Sequence, residues 1–231
     1  MASVGAAQVS DVATRWGEVQ ARVEGARRLS GRPPHSVEVL GVSKLQPLAA
    51  LRAAYAAGVR AFGENYAQEL RDKAAALADC PGIRWHAIGT LQTNKAKYVA
   101  KSADVFHALD RIALAEELAR RRSGAPLEVY LEVNLGGEAT KSGLAPEALG
   151  ALLASVRQLP QLHAVGLMCL PPFSDNPEAS RPYFQRLRAL AEAHGLTGLS
   201  MGTTQDFAVA VQEGATVVRV GTALFGPRPA G

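Results

Sequence analysis

The sequence predicts an α/β protein built as a closed (β/α)8 TIM barrel, and three observations carry that expectation. Short runs rich in valine and isoleucine alternate with longer alanine- and leucine-rich segments of helical spacing, a pattern that implies parallel strands joined by right-handed crossovers. There are eight such runs, the number that closes a barrel. The first is not followed by the G-x-G-x-x-G turn of a dinucleotide fold, which makes an open doubly wound sheet the less favoured arrangement.

The elements follow in order. Residues 8–29 are polar and alanine-rich, with Val12, Trp16, Val19 and Val23 three or four residues apart, the spacing of an amphipathic helix. Gly31 and Pro33-Pro34 then stop it. The expected strands are V-E-V-L-G-V-S, V-R-A-F-G, I-R-W-H-A-I-G, V-F-H-A-L, L-E-V-Y-L-E-V-N, L-H-A-V-G-L-M, L-S-M-G and T-V-V-R-V-G. Helices are expected near 47–57, 64–79, 94–101, 111–122, 146–158, 177–194 and 205–213. The longest loop, L-P-P-F-S-D-N-P, lies inside one unit, so residues 1–231 read as a single domain with an extra N-terminal helix.

Composition narrows the class. Of 231 residues, 48% are hydrophobic and 20% charged, a globular balance that argues against disorder. No apolar run approaches the roughly 20 residues needed to cross a bilayer. The start, M-A-S-V-G-A-A-Q, lacks the basic and apolar blocks of a secretory leader. Cys80 and Cys169 form neither a disulfide framework nor a metal spacing, and no histidine–carboxylate pair has one either. A cytoplasmic protein is the expectation. The net charge of +4 is modest, and the runs Arg27-Arg28 and Arg120-Arg121-Arg122 have no interleaved aromatics; they read as solvated helix faces rather than a nucleic-acid surface.

Candidate residues, mostly polar or glycine, cluster just after the strands: Ser43-Lys44, Gly63-Glu64-Asn65, His86 with Gly89, Asn134, Met168, Ser200-Met201-Gly202 and Arg219-Val220-Gly221-Thr222. In a parallel barrel these positions share the C-terminal mouth, where chemistry is done. Lys44 ends the first strand and precedes Leu45-Gln46-Pro47, the start of a helix. A lysine there could simply cap the strand and reach water. The positive end of the helix dipole and apolar walls disfavour its charge, however, and a neutral lysine is the nucleophile of Schiff-base chemistry. In M-G-T-T-Q-D and V-R-V-G-T-A-L-F-G, glycine and threonine open the last two loops, which suits a phosphate; helix capping by Thr203 or Thr204 is the alternative. Arg219 reads as a structural arginine paired with a barrel carboxylate or as a cation beside a ring nitrogen or phosphate. Asn65 and His86 are candidates for lining the same pocket.

Seven blocks in order, G-V-S-K-L-Q-P, F-G-E-N-Y-A-Q-E, W-H-A-I-G-T-L-Q-T-N-K, V-N-L-G-G-E-A-T-K-S-G, G-L-M-C-L-P, L-S-M-G-T-T-Q-D and V-R-V-G-T-A-L-F-G-P-R, make the chain resemble the pyridoxal phosphate homeostasis proteins nearly end to end. The resemblance implies a barrel like that of alanine racemase (fold type III), with pyridoxal 5′-phosphate (PLP) held as an internal aldimine on Lys44. It implies that Thr204, Gly221 and Thr222 hold the phosphate, that Arg219 meets the pyridine nitrogen, and that Asn65, His86 and Met201 line the ring. The family's M-G-M-S is here M-G-T-T, so Thr204 keeps a hydroxyl and Thr203 replaces a methionine; its S-K-T-K-P is here S-K-L-Q-P, which removes a charge near Lys44, with Lys95 and Lys141 as the other lysines of family loops.

The expected function is intracellular PLP homeostasis: binding the cofactor and carrying or buffering it, without robust catalysis, with apo PLP-dependent enzymes as recipients. No nucleic-acid or membrane partner and a monomeric state complete the expectation. Racemases of this fold need a second acid/base, a tyrosine from a separate domain, and the chain ends at Gly231 soon after the last strand; Tyr55, Tyr66, Tyr98, Tyr130 and Tyr183 offer no obvious substitute. A small PLP-dependent amino-acid racemase or lyase is the alternative, and a Schiff-base aldolase a second one.

Overall fold

The structure, a computed structural model, describes residues 2–138 and 141–227, with side chains from Asp11 onward. Ala139 and Thr140 of the fourth block, Arg228 of the seventh and the side chains of residues 8–10 in the first expected helix lie outside the described residues. Eight parallel strands close into one barrel in chain order: β1 (Glu38–Val42), β2 (Ala61–Glu64), β3 (Arg84–Ala87), β4 (Val105–Leu109), β5 (Leu127–Glu132), β6 (Leu162–Met168), β7 (Gly198–Ser200) and β8 (Val217–Val220). The barrel closes by pairing β1 with β8, Leu40 lying opposite Arg219 and Gly41 opposite Val220. Each expected strand is present.

The helices are α1 (Ala2–Leu29), α2 (Leu48–Ala56), α3 (Ala67–Ala76), α4 (Ala96–Ser102), α5 (Ile112–Arg121), α6 (Leu149–Val156), α7 (Arg181–Ala193), α8 (Phe207–Gln212) and α9 (Thr222–Phe225). Several start later than periodicity implies. Glu64 closes β2 with its side chain buried, so α3 begins only at Ala67. Before α4, α6 and α7 the chain enters through 3-10 turns at Thr93–Lys95, Pro146–Ala148 and Pro177–Ser180. Pro146 and Pro177 open two of them, where a missing N–H leaves no hydrogen bond unmade.

The helix α1 buries Val12, Val19 and Val23 and packs against α2, α8 and α9. It therefore covers the outside of the barrel where β8 meets β1, and the Arg22 guanidinium lies 4.4 Å from the Phe207 ring centre. The basic runs are partly engaged rather than simply solvated. Arg27 and Arg28 pair with Glu24, and Arg120 and Arg121 with Glu117, while Arg122 donates to the carbonyls of Ala100 and Ala103. Among the described residues, no helix is long and apolar enough to cross a membrane.

Candidate functional site

A cavity of 530 Å³ opens at the C-terminal mouth. Its polar lining comes from the loops after β1, β2, β7 and β8, as Lys44, Asn65, Thr203, Thr204, Gln205 and Thr222, and from Arg219 on β8 itself; Leu170 and Phe173, after β6, form an exposed apolar rim. Lys44 and Thr222, 178 positions apart in the chain, thus meet because parallel strands end on the same side.

Lys44 is half-buried on a tight turn. The turn's next residue, Leu45, sits at φ +61°, a left-handed conformation that a branched side chain rarely adopts. Fixed partners offset that strain. Leu45 donates its backbone N–H to Glu69 Oε1 at 2.7 Å, and Gln46 donates to the Ser43 carbonyl at 3.0 Å. Below the turn, the buried Lys73 ammonium donates to the Ser43 carbonyl (2.6 Å), Glu64 Oε1 (2.9 Å) and Glu69 Oε1 (2.7 Å). The Ser43 hydroxyl donates to Glu64 Oε1 at 2.5 Å. Burial outweighs these donors and raises the Glu64 carboxyl above its usual range.

Asn65 reaches the cavity because Gly89 has no side chain. A Cβ at Gly89 would stand 2.4 Å from the Asn65 carbonyl oxygen. On the opposite wall, Gly202 turns the chain at φ +90° against Ala210. Thr203 then donates its N–H (2.6 Å) and hydroxyl (3.1 Å) to Asp206 Oδ1, whose other oxygen accepts from Ser180 at 2.7 Å. The Thr204 hydroxyl accepts the Gly221 N–H at 3.3 Å. Neither threonine side chain caps α8; one braces its own loop and the other ties the two loops together. Thr222 is exposed at the start of α9.

Arg219 is buried on β8 and bound to carbonyls and a hydroxyl rather than to a carboxylate. Its Nη1 donates to the Ser200 carbonyl (2.8 Å) and Ser200 Oγ (2.7 Å), and its Nη2 to the Cys169 carbonyl (2.9 Å). Burial lowers its pKa from the usual arginine value, yet an arginine stays charged in protein.

The cavity lining does not include His86 or Met201. Met201 is fully buried behind the Thr203–Thr204 loop. His86 points into the barrel interior, its Nδ1 2.9 Å from His107 Nε2, and its Nε2 3.7 Å from Glu38 Oε2 at the N-terminal end of β1. It lies too deep to reach the mouth. Lys141 pairs with Glu138 at 2.5 Å and Lys95 lies near Tyr98; neither lines the cavity.

Sequence reasoning placed Ser200 at a strand end without a role and passed over Lys73, Glu69 and His107. The signal for Lys73 was its i, i+4 spacing from Glu69. For His107 it was a histidine between Phe106 and Ala108 in an otherwise apolar strand.

Comparison with known proteins follows the same lines. The family model described as "Alanine racemase, N-terminal domain" matches residues 17–229. The pyridoxal phosphate homeostasis protein of Pseudomonas aeruginosa is 46% identical over 227 residues, covering 96% of this chain and 98% of that one. The structure of PipY from Synechococcus elongatus with PLP bound is 38% identical with a TM-score of 0.81, covering 93% and 100%. Alanine racemase from Corynebacterium glutamicum, 19% identical with a TM-score of 0.68 and covering 96% and 61%, shares the fold. The chain belongs to the alanine racemase N-terminal domain family and, within it, to the pyridoxal phosphate homeostasis proteins.

Proposed function

We propose that this protein holds pyridoxal 5′-phosphate on Lys44 and serves PLP homeostasis by carrying or buffering the cofactor for PLP-dependent apo-enzymes, residues 1–231 acting as one binding domain. One observation carries the reading: a single cavity brings together the Lys44 amine, the Arg219 guanidinium and the Thr204–Gly221 loop pair. The fit to PLP is chemical. When bound, PLP supplies an aldehyde for a primary amine and an electron-withdrawing ring. The Lys44 Nζ would be the primary amine that takes the aldehyde. Thr204, Gly221 and Thr222 offer hydroxyl and backbone donors to the phosphate. Arg219 would meet the ring nitrogen as a permanent cation and keep it unprotonated, which would dampen carbanion chemistry. Asn65, in the same cavity lining, would line the ring. The solved relative with PLP bound supports the cofactor's identity.

Holding rather than turnover is the function that the lining favours. Among the described residues of the cavity, the ionisable side chains are Lys44 and Arg219, and arginine does not exchange protons near neutrality. Tyr130 is buried against His107, their ring centres 4.6 Å apart, away from the mouth. Two-sided proton exchange at a substrate carbon has no second base there.

The test is spectroscopic. Purified protein incubated with PLP should absorb in the visible, lose that band with borohydride, and release pyridoxal phosphate in acid only if unreduced. Lys44→Ala should not develop the borohydride-sensitive band. A protein that acquires no such band would overturn the proposal, and sustained racemisation or consumption of amino acids abolished by Lys44→Ala would overturn the carrier role.

A further inference from the structure

The barrel interior carries a line of polar groups that the binding site does not use directly. It runs from Arg219 at the cavity to Ser200 on β7, His107 on β4, His86 on β3 and Glu38 on β1. Ser200, His107 and His86 are all essentially inaccessible to solvent. An unpaired polar group at such depth is costly, so the line must be resolved into donors and acceptors.

One end dictates the rest. Arginine has donors and no acceptor, so Arg219 Nη1 donates to Ser200 Oγ at 2.7 Å. The single hydroxyl proton of Ser200 is then directed to His107 Nδ1 at 2.8 Å. His107, held neutral by burial, carries its proton on Nε2 and donates it to His86 Nδ1 at 2.9 Å. His86, also neutral, with its pKa pushed down to about 3 by burial, carries its proton on Nε2, facing Glu38 Oε2 at 3.7 Å. Glu38 is steadied by Arg84 at 3.3 Å, which also pairs with Glu128 at 2.8 Å. The Tyr130 ring stacked on His107 leaves the imidazole little freedom to turn.

We infer that Ser200, His107 and His86 are positioning residues for Arg219: a one-directional chain of hydrogen bonds, ending at His86, that holds the guanidinium at its place in the cavity. The inference rests on the proposed PLP reading. The backbone carbonyls of Ser200 and Cys169 fix two edges of the guanidinium; the Ser200 hydroxyl adds the side-chain contact that links it to the interior. Both histidine tautomers follow from the arginine alone. This accounts for two imidazoles in a barrel interior without a metal or a catalytic step.

The experiment has two arms. Nitrogen NMR of the histidine side chains in native, PLP-free protein at neutral pH should show His86 and His107 neutral with the proton on Nε2. A His107 protonated on Nδ1, or either ring doubly protonated, overturns the inference. In the second arm, loss of PLP during dialysis is followed by absorbance in a double-mutant cycle of Ser200→Ala and Arg219→Ala. Ser200→Ala should speed loss about tenfold and add nothing further in the Arg219→Ala background. A purely structural serine would lower the melting temperature and leave the two effects additive. Native protein that retains PLP while Ser200→Ala releases it at the native rate overturns the positioning role alone; native protein that takes up no PLP sinks the functional reading and the positioning role with it.

Discussion

Glu69 on α3 accepts the backbone N–H of Leu45 at 2.7 Å, so the turn that carries Lys44 is tied to the following βα unit of the barrel. The same Glu69 oxygen accepts from Lys73, and Lys73 reaches back to the Ser43 carbonyl. Lys44 is therefore gripped from both sides in sequence, at Ser43 and at Leu45. The carboxylate, itself only partly buried, is held in place for Leu45 by the buried Lys73 ammonium.

Removing the ammonium should loosen that grip. Lys73 is 6% exposed and pairs with two carboxylates. Lys73→Met leaves Glu64 buried without its cation and should cost about 3–5 kcal/mol by denaturant unfolding. PLP loading onto Lys44 should slow in the folded fraction. Glu69→Gln keeps an acceptor for Leu45 and should be the milder change. Equal stability of Lys73→Met and the native protein would refute the clamp.

Gly89→Ala forces a methyl to within 2.4 Å of the Asn65 carbonyl oxygen and 2.9 Å of its Cα. Backbone cannot yield as a side-chain tip does, so the loops after β2 and β3 must separate. A loss of about 1–3 kcal/mol in stability is expected, with weaker PLP binding because Asn65 is displaced. A thermal melt and an absorbance titration measure the two effects.

The Thr204 hydroxyl joins the two phosphate-suited loops through the Gly221 N–H. Thr204→Val should weaken PLP binding about tenfold while leaving the reaction of Lys44 with pyridoxal, which lacks the phosphate, nearly unchanged. Titration with both aldehydes separates these effects. A parallel loss for PLP and pyridoxal would show that the threonine shapes the loop rather than meeting phosphate.

Stability should also depend on pH through the barrel interior. His86 has its folded pKa lowered from 6.5 to about 3, so between those values the unfolded chain binds a proton that the folded one does not. Stability is then highest above about 6.5 and falls as the pH drops toward 3, by about 1.4 kcal/mol per pH unit for one such proton. The raised Glu38, Glu64 and Glu132 carboxyls work in the opposite direction: they favour folding at low pH and lose that contribution as pH rises through their folded pKa values. His86→Gln should flatten the slope between pH 5 and 6 by about one proton's worth, measured by urea unfolding; an unchanged slope would contradict the neutral buried imidazole.

Much of the barrel was legible in the sequence. Alternating apolar runs and helical segments report burial directly, which is why all eight strands were found where V-E-V-L-G-V-S and its counterparts stand. The gathering of Lys44, Asn65, Thr204, Arg219, Gly221 and Thr222 at one mouth follows from parallel strands ending together. Helix starts were less legible, because Glu64 reads as a helix former until its burial beside Ser43 and Lys73 is seen.

Strand alternation and loop chemistry thus determined the architecture and the end of the barrel that bears the cavity, and the ordered family blocks pointed to PLP. Tertiary structure alone decided depth and partnership. His86 sits beside His107 inside the barrel because β3 and β4 are adjacent and both imidazoles point inward; position in sequence carries no depth along a barrel axis. Lys73 holds the Lys44 turn because α3 packs beneath it, and Arg219 meets carbonyls instead of a carboxylate because β7 and the end of β6 lie within its reach. These are contacts across 19 to 50 residues of chain, and only the closed barrel brings their ends together.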